Sequence, residues 1–214
     1  MVILGLLLAQ RDYTIMRSVE RFRFCLSRHI KILANFAGQR KCDKRLKTLI
    51  EAGYINRKKV LYGVPSVYSL AYKGKMLIGA NKRQDKVRVD RIVHDITVLD
   101  TVIYFMNQYE IEIDKIVTEK ELNSQRGFDV RKHQPDFIFH KLNKKHCVEI
   151  ELTMKAKQRF LEIVQDNYLN YDVQHWVIPK NIKMRNMLDE LNKEYQNIEI
   201  IEVEGVQEFV RANK

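Results

Sequence analysis

The chain has 214 residues and a formal net charge of +11, from 38 Lys and Arg against 27 Asp and Glu. This length accommodates one large domain or two small ones. A hydrophobic fraction of 45% is sufficient for real cores and excludes disordered and collagen-like chains, and 8 Gly and 3 Pro are too few for a turn-rich β-sandwich. The three cysteines form no CxxC pair, which fits a cytoplasmic protein rather than a disulfide scaffold or a zinc ribbon.

The longest apolar run, Met1–Ala9, is too short to cross a bilayer and lacks the basic region and cleavage site of a signal peptide. We therefore expect a buried opening segment. The excess of positive charge then indicates an anionic partner, either a nucleic acid or a membrane surface. A membrane partner is disfavoured, because no predicted helix combines a basic face with a broad aromatic one.

The charge is distributed very unevenly along the chain. Residues 1–83 hold 18 Lys and Arg against 4 Asp and Glu, a net charge of +14, whereas residues 84–214 have a net charge of −3. This asymmetry predicts a nucleic-acid-binding domain over 1–83 and a second domain of different character over 84–214. The polar segment Gly79–Asp85 lacks hydrophobic periodicity and is the natural join between them.

Three predicted helices and a hairpin make up the first domain. Apolar residues recur at helical spacing over Gln10–Phe22, and a second helix begins at Ser27. A third helix follows Gly38 and ends at Gly53, with apolar residues along one face. Two strand-like runs, Tyr54–Leu61 and Ser66–Ala71, joined by a turn over residues 62–65, then predict a hairpin.

These elements are the parts of a winged helix-turn-helix, in which the third helix enters the major groove and the hairpin follows the phosphate backbone. Arg and Gln suit base edges, and Lys suits phosphates. The alternative is a basic face that serves only solubility, and RNA is disfavoured because the aromatic strand pattern of RNA-binding sheets is missing. We therefore expect double-stranded DNA as the partner. The candidate DNA-contacting residues are Gln39, Arg40, Lys41, Lys44, Arg45, Lys47, Arg57, Lys58 and Lys59.

The second domain is predicted to follow the order α-β-β-β-α-β-α-β-α. A long amphipathic helix covers Asp85–Gln108, a strand covers Glu110–Val117 and a polar loop covers Asn123–His133. Two short strands, Asp136–His140 and Cys147–Leu152, then predict a hairpin. Further helices and strands are predicted over 155–169, 172–178, 181–195, 198–203 and 206–211.

Carboxylates mark one edge of this second hairpin. Asp136 opens the first strand, and Glu149 and Glu151 share a face of the next, because side chains two residues apart in a strand point the same way. Three carboxylates at one sheet edge would hold Mg²⁺ or Mn²⁺, whose bound water can attack a phosphodiester. The alternative is that alternating glutamates form only a solvent-facing strand face.

Four histidines raise the separate question of a zinc site. The spacings of His133, His140, His146 and His175 match no zinc motif, and Cys147 has no partner nearby. We therefore expect scattered surface histidines.

Asp136 followed by Glu149-x-Glu151, within the order α-β-β-β-α-β, resembles the PD-(D/E)XK nuclease superfamily. The resemblance implies an α+β protein, a winged helix-turn-helix followed by a restriction-endonuclease-like α/β domain. Asp136 and Glu149 match the two metal-binding acids, and Glu151 stands at the lysine position. The implied Mg²⁺- or Mn²⁺-dependent endonuclease would use the catalytic residues Asp136, Glu149, Glu151, Lys155, Lys157 and Gln158, with metal ligands Asp136, Glu149 and Glu151.

Residues 8–178 as a whole resemble the replication-relaxation family, DNA-associated proteins of plasmids and other mobile elements. The resemblance implies a role in replication, relaxation or transfer, with replication or mobilisation proteins as further partners. The alternative is a non-enzymatic regulator or accessory factor whose nuclease-like domain mediates homodimerisation or partner binding. The segments that carry the resemblance include KRLKTLIEAGYINR, VYSLAYKGKMLI, VHDITVLD and PDFIF…VEIELTMKAKQRF.

Overall fold

The structure, a computed structural model, describes residues 6–81, 87–126 and 133–212. The chain has mixed α and β structure, as predicted, and divides into two compact units between Leu99 and Asp100. The division lies inside a long helix, Ile92–Gln108, and not at the predicted join Gly79–Asp85. Residues 82–86 of that join lie outside the described part of the chain.

The start of this long helix belongs to the N-terminal unit because its first residue is part of that unit's core. Ile92 is fully buried and packs with Phe24, Leu26 and Val67. Burying apolar side chains in a core stabilises the fold by about 25 cal/mol per Å² of apolar surface removed from water. The polarity of Gly79–Asp85 therefore does not mark the boundary between the units, because the first turn of the helix that follows still packs in the N-terminal core.

In the residues that the structure describes, the N-terminal unit contains the start of the long helix, four further α-helices and a two-stranded antiparallel sheet. The strands pair with Ile55 opposite Leu70, and Cys25 forms one additional bridge to Tyr68 through two backbone hydrogen bonds of 2.8 and 2.9 Å. The elements in order are α1 (Gln10–Arg21), α2 (Ser27–Leu33), α3 (Gln39–Glu51), β1 (Ile55–Lys58), β2 (Val67–Leu70) and α4 (Tyr72–Leu77).

Helix α3 forms where the sequence predicts it. Cys42, Leu46 and Leu49 recur at helical spacing and are buried, which turns the remaining side chains towards solvent. Gly53 ends the helix with φ of +76°, a left-handed conformation that glycine adopts without a steric penalty. The N–H groups of Gly53 and Tyr54 donate back to the last turn of the helix, which is the Schellman arrangement.

Helix α4 was not predicted, because six residues are too few to establish a helical period. Gly74 lies against the backbone of Tyr54, so that a Cβ atom at this position would overlap the Tyr54 carbonyl oxygen. Lys75 is buried and forms an ion pair of 3.7 Å with Glu20 of α1. Tertiary contacts of this kind, and not local propensity, hold the helix in place.

The opening segment is not buried where the structure describes it, since Leu7 is 89% exposed. Its first residues, 1–5, lie outside the described part. In the described part of the chain, no helix has both the length and the apolar character needed to cross a membrane.

The C-terminal unit has a five-stranded mixed sheet of order β3-β4-β5-β6-β7. The first three strands are antiparallel neighbours, and the last two run parallel to β5. Two 3-10 turns, Val89–Arg91 and Ile113–Lys115, flank α5. The elements are α5 (Ile92–Gln108), β3 (Val117–Thr118), α6 (Glu119–Arg126), β4 (Phe137–Lys141), β5 (Lys144–Ile150), α7 (Lys157–Asn170), β6 (Val173–Ile178), α8 (Ile182–Tyr195), β7 (Ile198–Glu202) and α9 (Val203–Ala212).

Two predictions in this unit differ from the structure. The strand predicted over Glu110–Val117 is replaced by a two-residue strand at Val117–Thr118, because the buried residues Ile111 and Ile116 are five positions apart and do not follow a period of two. The first residues of the loop predicted over Asn123–His133 belong to helix α6, and residues 127–132 lie outside the described part.

Helix α6 begins with a capping box that the sequence contains. The Glu121 carboxylate accepts hydrogen bonds from the Thr118 N–H at 2.8 Å and from its hydroxyl at 2.9 Å. The Thr118 hydroxyl accepts from the Glu121 N–H in return. The pattern Thr-x-x-Glu therefore marked a helix start in a segment too polar to show hydrophobic periodicity.

Helices cover both faces of the sheet. On one face, Phe105 of α5 packs its ring against Phe137, Phe139 and His175, with ring centroids 4.9 to 5.7 Å apart. On the other face, α7 and α8 form an apolar core with β6 and β7. This core contains Phe160, Ile163, Val164, Trp176, Ile178, Met184, Leu188 and Ile198.

We expect Gly74→Ala to lower the free energy of unfolding by about 1–3 kcal/mol, because the added methyl group overlaps a backbone oxygen that cannot rotate away. Urea denaturation followed by circular dichroism measures this change. The control is Gly205→Ala in α9, where a Cβ atom meets no other atom within 4 Å. The control should be neutral or stabilising by up to about 1 kcal/mol. Equal stability of the two variants would contradict the close packing of α4.

Candidate functional site

The first candidate site is a basic surface on the N-terminal unit. Because α3 buries its apolar face, its long cationic side chains project into solvent, and those of the hairpin are exposed as well. We use the term basic surface for these seven exposed residues: Arg40, Lys41, Lys44, Lys47, Arg57, Lys58 and Lys59.

Helix α3 and the hairpin lie side by side in this unit. Tyr68 of β2 pairs with Arg57 of β1. Burial raises the pKa of Tyr68, the nearby charge of Arg57 lowers it, and the charge of Asp43 raises it. Because Arg57 lies on the hairpin and Asp43 on α3, the hairpin and the helix both flank the Tyr68 ring. Lys59 donates a hydrogen bond of 2.5 Å to the Val64 carbonyl and closes the turn of the hairpin. The cations of both elements therefore belong to neighbouring parts of one surface.

Acidic residues of α3 neutralise part of this charge. Gln39, a predicted DNA contact, donates a hydrogen bond of 2.8 Å to Asp43. Lys47 lies 3.8 Å from Glu51, and both side chains are exposed. Exposed pairs of this kind contribute about 0–1 kcal/mol, so they give way readily to a phosphate. Arg40, Lys41 and Lys44 make no ion pair with any residue in the described part.

Arg45 differs from the other predicted DNA contacts because it is held inside the fold. Its guanidinium binds both carboxylate oxygens of Asp12, with Nε 2.7 Å from Oδ1, and it donates a further bond of 3.1 Å to the Leu7 carbonyl. Asp12 is 1% exposed. An ionised carboxylate that is buried requires a partner, and Arg45 supplies it. The pair joins α1 to α3, and we assign Arg45 to the structure of the unit.

The sequence around Asp12 already indicates this pair, although the basic residues by themselves do not. Asp12 lies at helical spacing from Ile15, Met16 and Val19, all of which are buried on the inner face of α1. An acidic residue in line with an apolar face predicts a buried charge and therefore a cationic partner elsewhere in the chain.

The second candidate site is the acidic edge of the C-terminal sheet, which comprises Asp136, Glu149 and Glu151. The β4–β5 hairpin places Asp136 beside the end of β5, where its N–H donates to the Val148 carbonyl and its Oδ2 accepts a 2.8 Å hydrogen bond from the Ile150 N–H. Glu149 lies on β5 next to Trp176 of β6. Asp136 lies close enough to Glu149 for its charge to raise the pKa of Glu149.

Glu149 is buried and has two protein partners. Its Oε1 lies 2.6 Å from His133 Nε2 and accepts a hydrogen bond of 2.9 Å from the Asn167 amide. Burial raises the pKa of Glu149, and the two partners offset part of that rise. Burial lowers the pKa of His133, but the hydrogen bond and charge of Glu149 outweigh it and raise the pKa overall.

Glu151 directly follows β5, and its backbone N–H donates a hydrogen bond of 3.0 Å to the Val177 carbonyl of β6. Its carboxylate forms an ion pair with the ammonium of Lys155, the first of the predicted catalytic lysines. Lys157 and Gln158 open helix α7 and are exposed, and neither makes a hydrogen bond or ion pair with a residue that the structure describes.

One oxygen of each of the three carboxylates is engaged by a protein group. These oxygens are directed to an N–H of the backbone, to His133 and Asn167, and to Lys155. Within residues 6–81, 87–126 and 133–212, no group of three or more His, Cys, Asp or Glu side chains is placed to hold a metal ion. The structure thus does not assemble Asp136, Glu149 and Glu151 into the metal site that spacing suggested.

Two of the predicted surface histidines are in fact buried on the opposite face of the sheet. His146 Nδ1 lies 2.9 Å from His175 Nε2, and His175 Nδ1 lies 3.0 Å from a carboxylate oxygen of Glu199. Burial, and then the charge of His175, lower the pKa of His146. The rings stack with Phe139. The prediction of surface histidines was therefore wrong for this pair, because strands β5 and β6 are covered on both faces.

Loss of the Arg45 guanidinium should weaken the N-terminal unit. We expect Arg45→Ala to lower the free energy of unfolding at neutral pH by about 1–3 kcal/mol, because it leaves the buried Asp12 carboxylate without its main donor. Arg40→Ala is the matched control on the same helix, and it should change stability by less than about 0.5 kcal/mol because Arg40 is exposed. Thermal and urea unfolding measure both variants.

The effect of Arg45→Ala should also depend on pH. Burial alone would raise the pKa of Asp12, but the bonds from Arg45 and the Ala9 N–H outweigh it and hold the pKa below 3.8. Since the folded pKa is depressed, the stabilisation is complete above the ordinary pKa of 3.8 and is lost as the pH falls through the folded pKa. The two stability curves should converge in acid. A constant difference down to the lowest pH would contradict this pairing.

Comparisons with known proteins add no relative. No family model matches the chain, and no curated protein or solved structure matches it. The resemblance to the replication-relaxation family therefore stays a prediction carried by the quoted segments.

Proposed function

We propose that the chain is a double-stranded-DNA-binding protein whose N-terminal unit is a winged helix-turn-helix. The order of elements supports this proposal, since two helices and a third, basic helix precede an antiparallel hairpin. The single bridge at Cys25 extends the hairpin at its inner edge, as a short first strand does in winged helices. The third helix would enter the major groove, and the hairpin would lie along the backbone.

The basic surface is the observation that carries the proposal. Its seven cations are exposed, they lie on α3 and on the adjoining hairpin, and Arg40, Lys41 and Lys44 make no ion pair in the described part. Each Lys or Arg that contacts a phosphate releases condensed counterions, which supplies affinity without sequence information. Arg40 is the best candidate for a base edge, because its guanidinium can bind guanine with two hydrogen bonds.

For the C-terminal unit, we infer a nuclease-like fold with an accessory role. An antiparallel meander β3-β4-β5 followed by a helix and a parallel strand is the order expected of the PD-(D/E)XK core. The carboxylates of the acidic edge are engaged by protein donors, which favours a regulator or accessory factor of a mobile element over a nuclease. The C-terminal unit would then mediate dimerisation or the docking of replication proteins.

Arg40→Ala combined with Lys44→Ala should weaken binding to a short duplex and lower the slope of log K against log salt by about 1, because Lys44 is the phosphate contact of the two and such a contact contributes about 0.9. Fluorescence anisotropy at several salt concentrations measures this slope. The control exchanges the same residue types in the C-terminal unit, Arg211→Ala with Lys183→Ala, both exposed. If both double variants lose affinity equally, or binding does not depend on salt, α3 is not the DNA-contacting helix.

The accessory role makes a separate prediction. Pure wild-type protein should leave supercoiled plasmid intact in Mg²⁺ and in Mn²⁺, because the acidic edge lacks a group of metal ligands. Agarose gel electrophoresis detects nicking directly. Nicking by the wild type that disappears in Asp136→Ala would overturn the accessory role and support the endonuclease alternative.

A further inference from the structure

A cavity of about 580 Å³ lies in the N-terminal unit between the start of α1 and one side of α3. Its volume falls in the range of small-ligand pockets, roughly 300–1,000 Å³. Helix α1 contributes Arg11, and α3 contributes Lys41, Lys44 and Arg45. Each of these four basic side chains ends in a cationic group that can donate several hydrogen bonds, as an anion-binding site requires.

The α3 side of the cavity is a single face of the helix. Lys41, Lys44, Arg45 and Thr48 lie at intervals of three, four and seven residues and therefore project from the same side. This face is distinct from the buried stripe of Cys42, Leu46 and Leu49, which packs into the core. The sequence thus places several donors on one wall of the cavity, and the fold brings α1 opposite them.

Arg11 is held in place by an aromatic ring. Its guanidinium lies 4.7 Å from the centre of the Phe36 ring, and both residues line the cavity. A cation–π contact of this kind contributes about 0.5–1 kcal/mol at an exposed site and restricts the side chain. Arg11 therefore presents its donors from a preferred position.

The charge balance of the cavity is strongly positive. Asp12 is the acidic residue in the lining, and Arg45 already neutralises it. Arg11, Lys41 and Lys44 make no ion pair with an acidic residue in the part of the chain that the structure describes. Three uncompensated cations around one cavity favour a ligand with more than one negative charge.

We propose that this cavity binds a phosphate group, with Arg11, Lys41 and Lys44 as its ligands. The phosphate has two sources that share this chemistry, the backbone of DNA and a free phosphate compound. In the first case the site rests on the proposed function and adds Arg11 of α1 to the DNA contacts. In the second case it is independent of DNA binding.

Isothermal titration of the full chain with inorganic pyrophosphate, and anisotropy with a short duplex, test the two sources. The informative variant is Arg11→Gln, since Arg11 lies outside the basic surface. The matched control is Arg17→Gln, which removes an exposed arginine of the same helix away from the cavity. Melting curves should show both variants folded.

We expect Arg11→Gln to weaken binding about tenfold, the loss of one charge-assisted hydrogen bond, and Arg17→Gln to leave it unchanged. Loss with pyrophosphate supports a free-phosphate site. Loss with the duplex alone supports a backbone-phosphate site. Equal behaviour of the two variants with both probes overturns the proposal. If wild-type protein binds no duplex, the proposed function fails, and the pyrophosphate titration still decides the cavity.

Discussion

A buried carboxylate organises the N-terminal half of this protein. Asp12 is inaccessible to water, so its charge has to be balanced inside the fold, and Arg45 balances it from a helix that lies far away in the chain. This bond joins α1 to α3. It orients the exposed side of α3 that carries the basic surface, and it removes the one acidic charge from the wall of the neighbouring cavity.

The same constraint determines the character of the C-terminal unit. Glu149 is buried at the edge of the sheet, and it is satisfied by His133 and Asn167. The hydrogen bonds of this buried oxygen thus come from the protein itself. The acidic edge therefore resembles a nuclease site in the order of its residues and differs from one in what those residues bind.

The basic surface and the acidic edge differ in how far their charged groups are exposed and paired. The basic surface is available to a phosphate because its cations are exposed and weakly paired or unpaired. One carboxylate oxygen each of Asp136, Glu149 and Glu151 is engaged by a protein group, and Glu149 and Glu151 are also buried. Exposure and burial, rather than residue type, separate the residues that can bind a ligand from those that hold the fold.

Local patterns in the sequence were sufficient for much of the architecture. The helical spacing of Cys42, Leu46 and Leu49, with Gly53 after them, predicted α3 and its end. The β4–β5 hairpin was also predicted with Glu149 on its second strand, although Asp136 lies directly before β4 and not in it. The capping box at Thr118 could have identified α6. Helix α4 had no such signal, because a six-residue helix is held by contacts with Tyr54 and not by its own periodicity.

By itself the sequence determined the partition of charge, the amphipathic helices and the order of strands, because each of these depends on residues near one another in the chain. Only the tertiary structure decided which charged groups are free. Arg45 meets Asp12 across 33 positions, and Glu149 meets His133 and Asn167 across 16 and 18. Residues this far apart in the sequence become partners only in the folded chain, where a buried charge requires a compensating polar group within hydrogen-bonding distance.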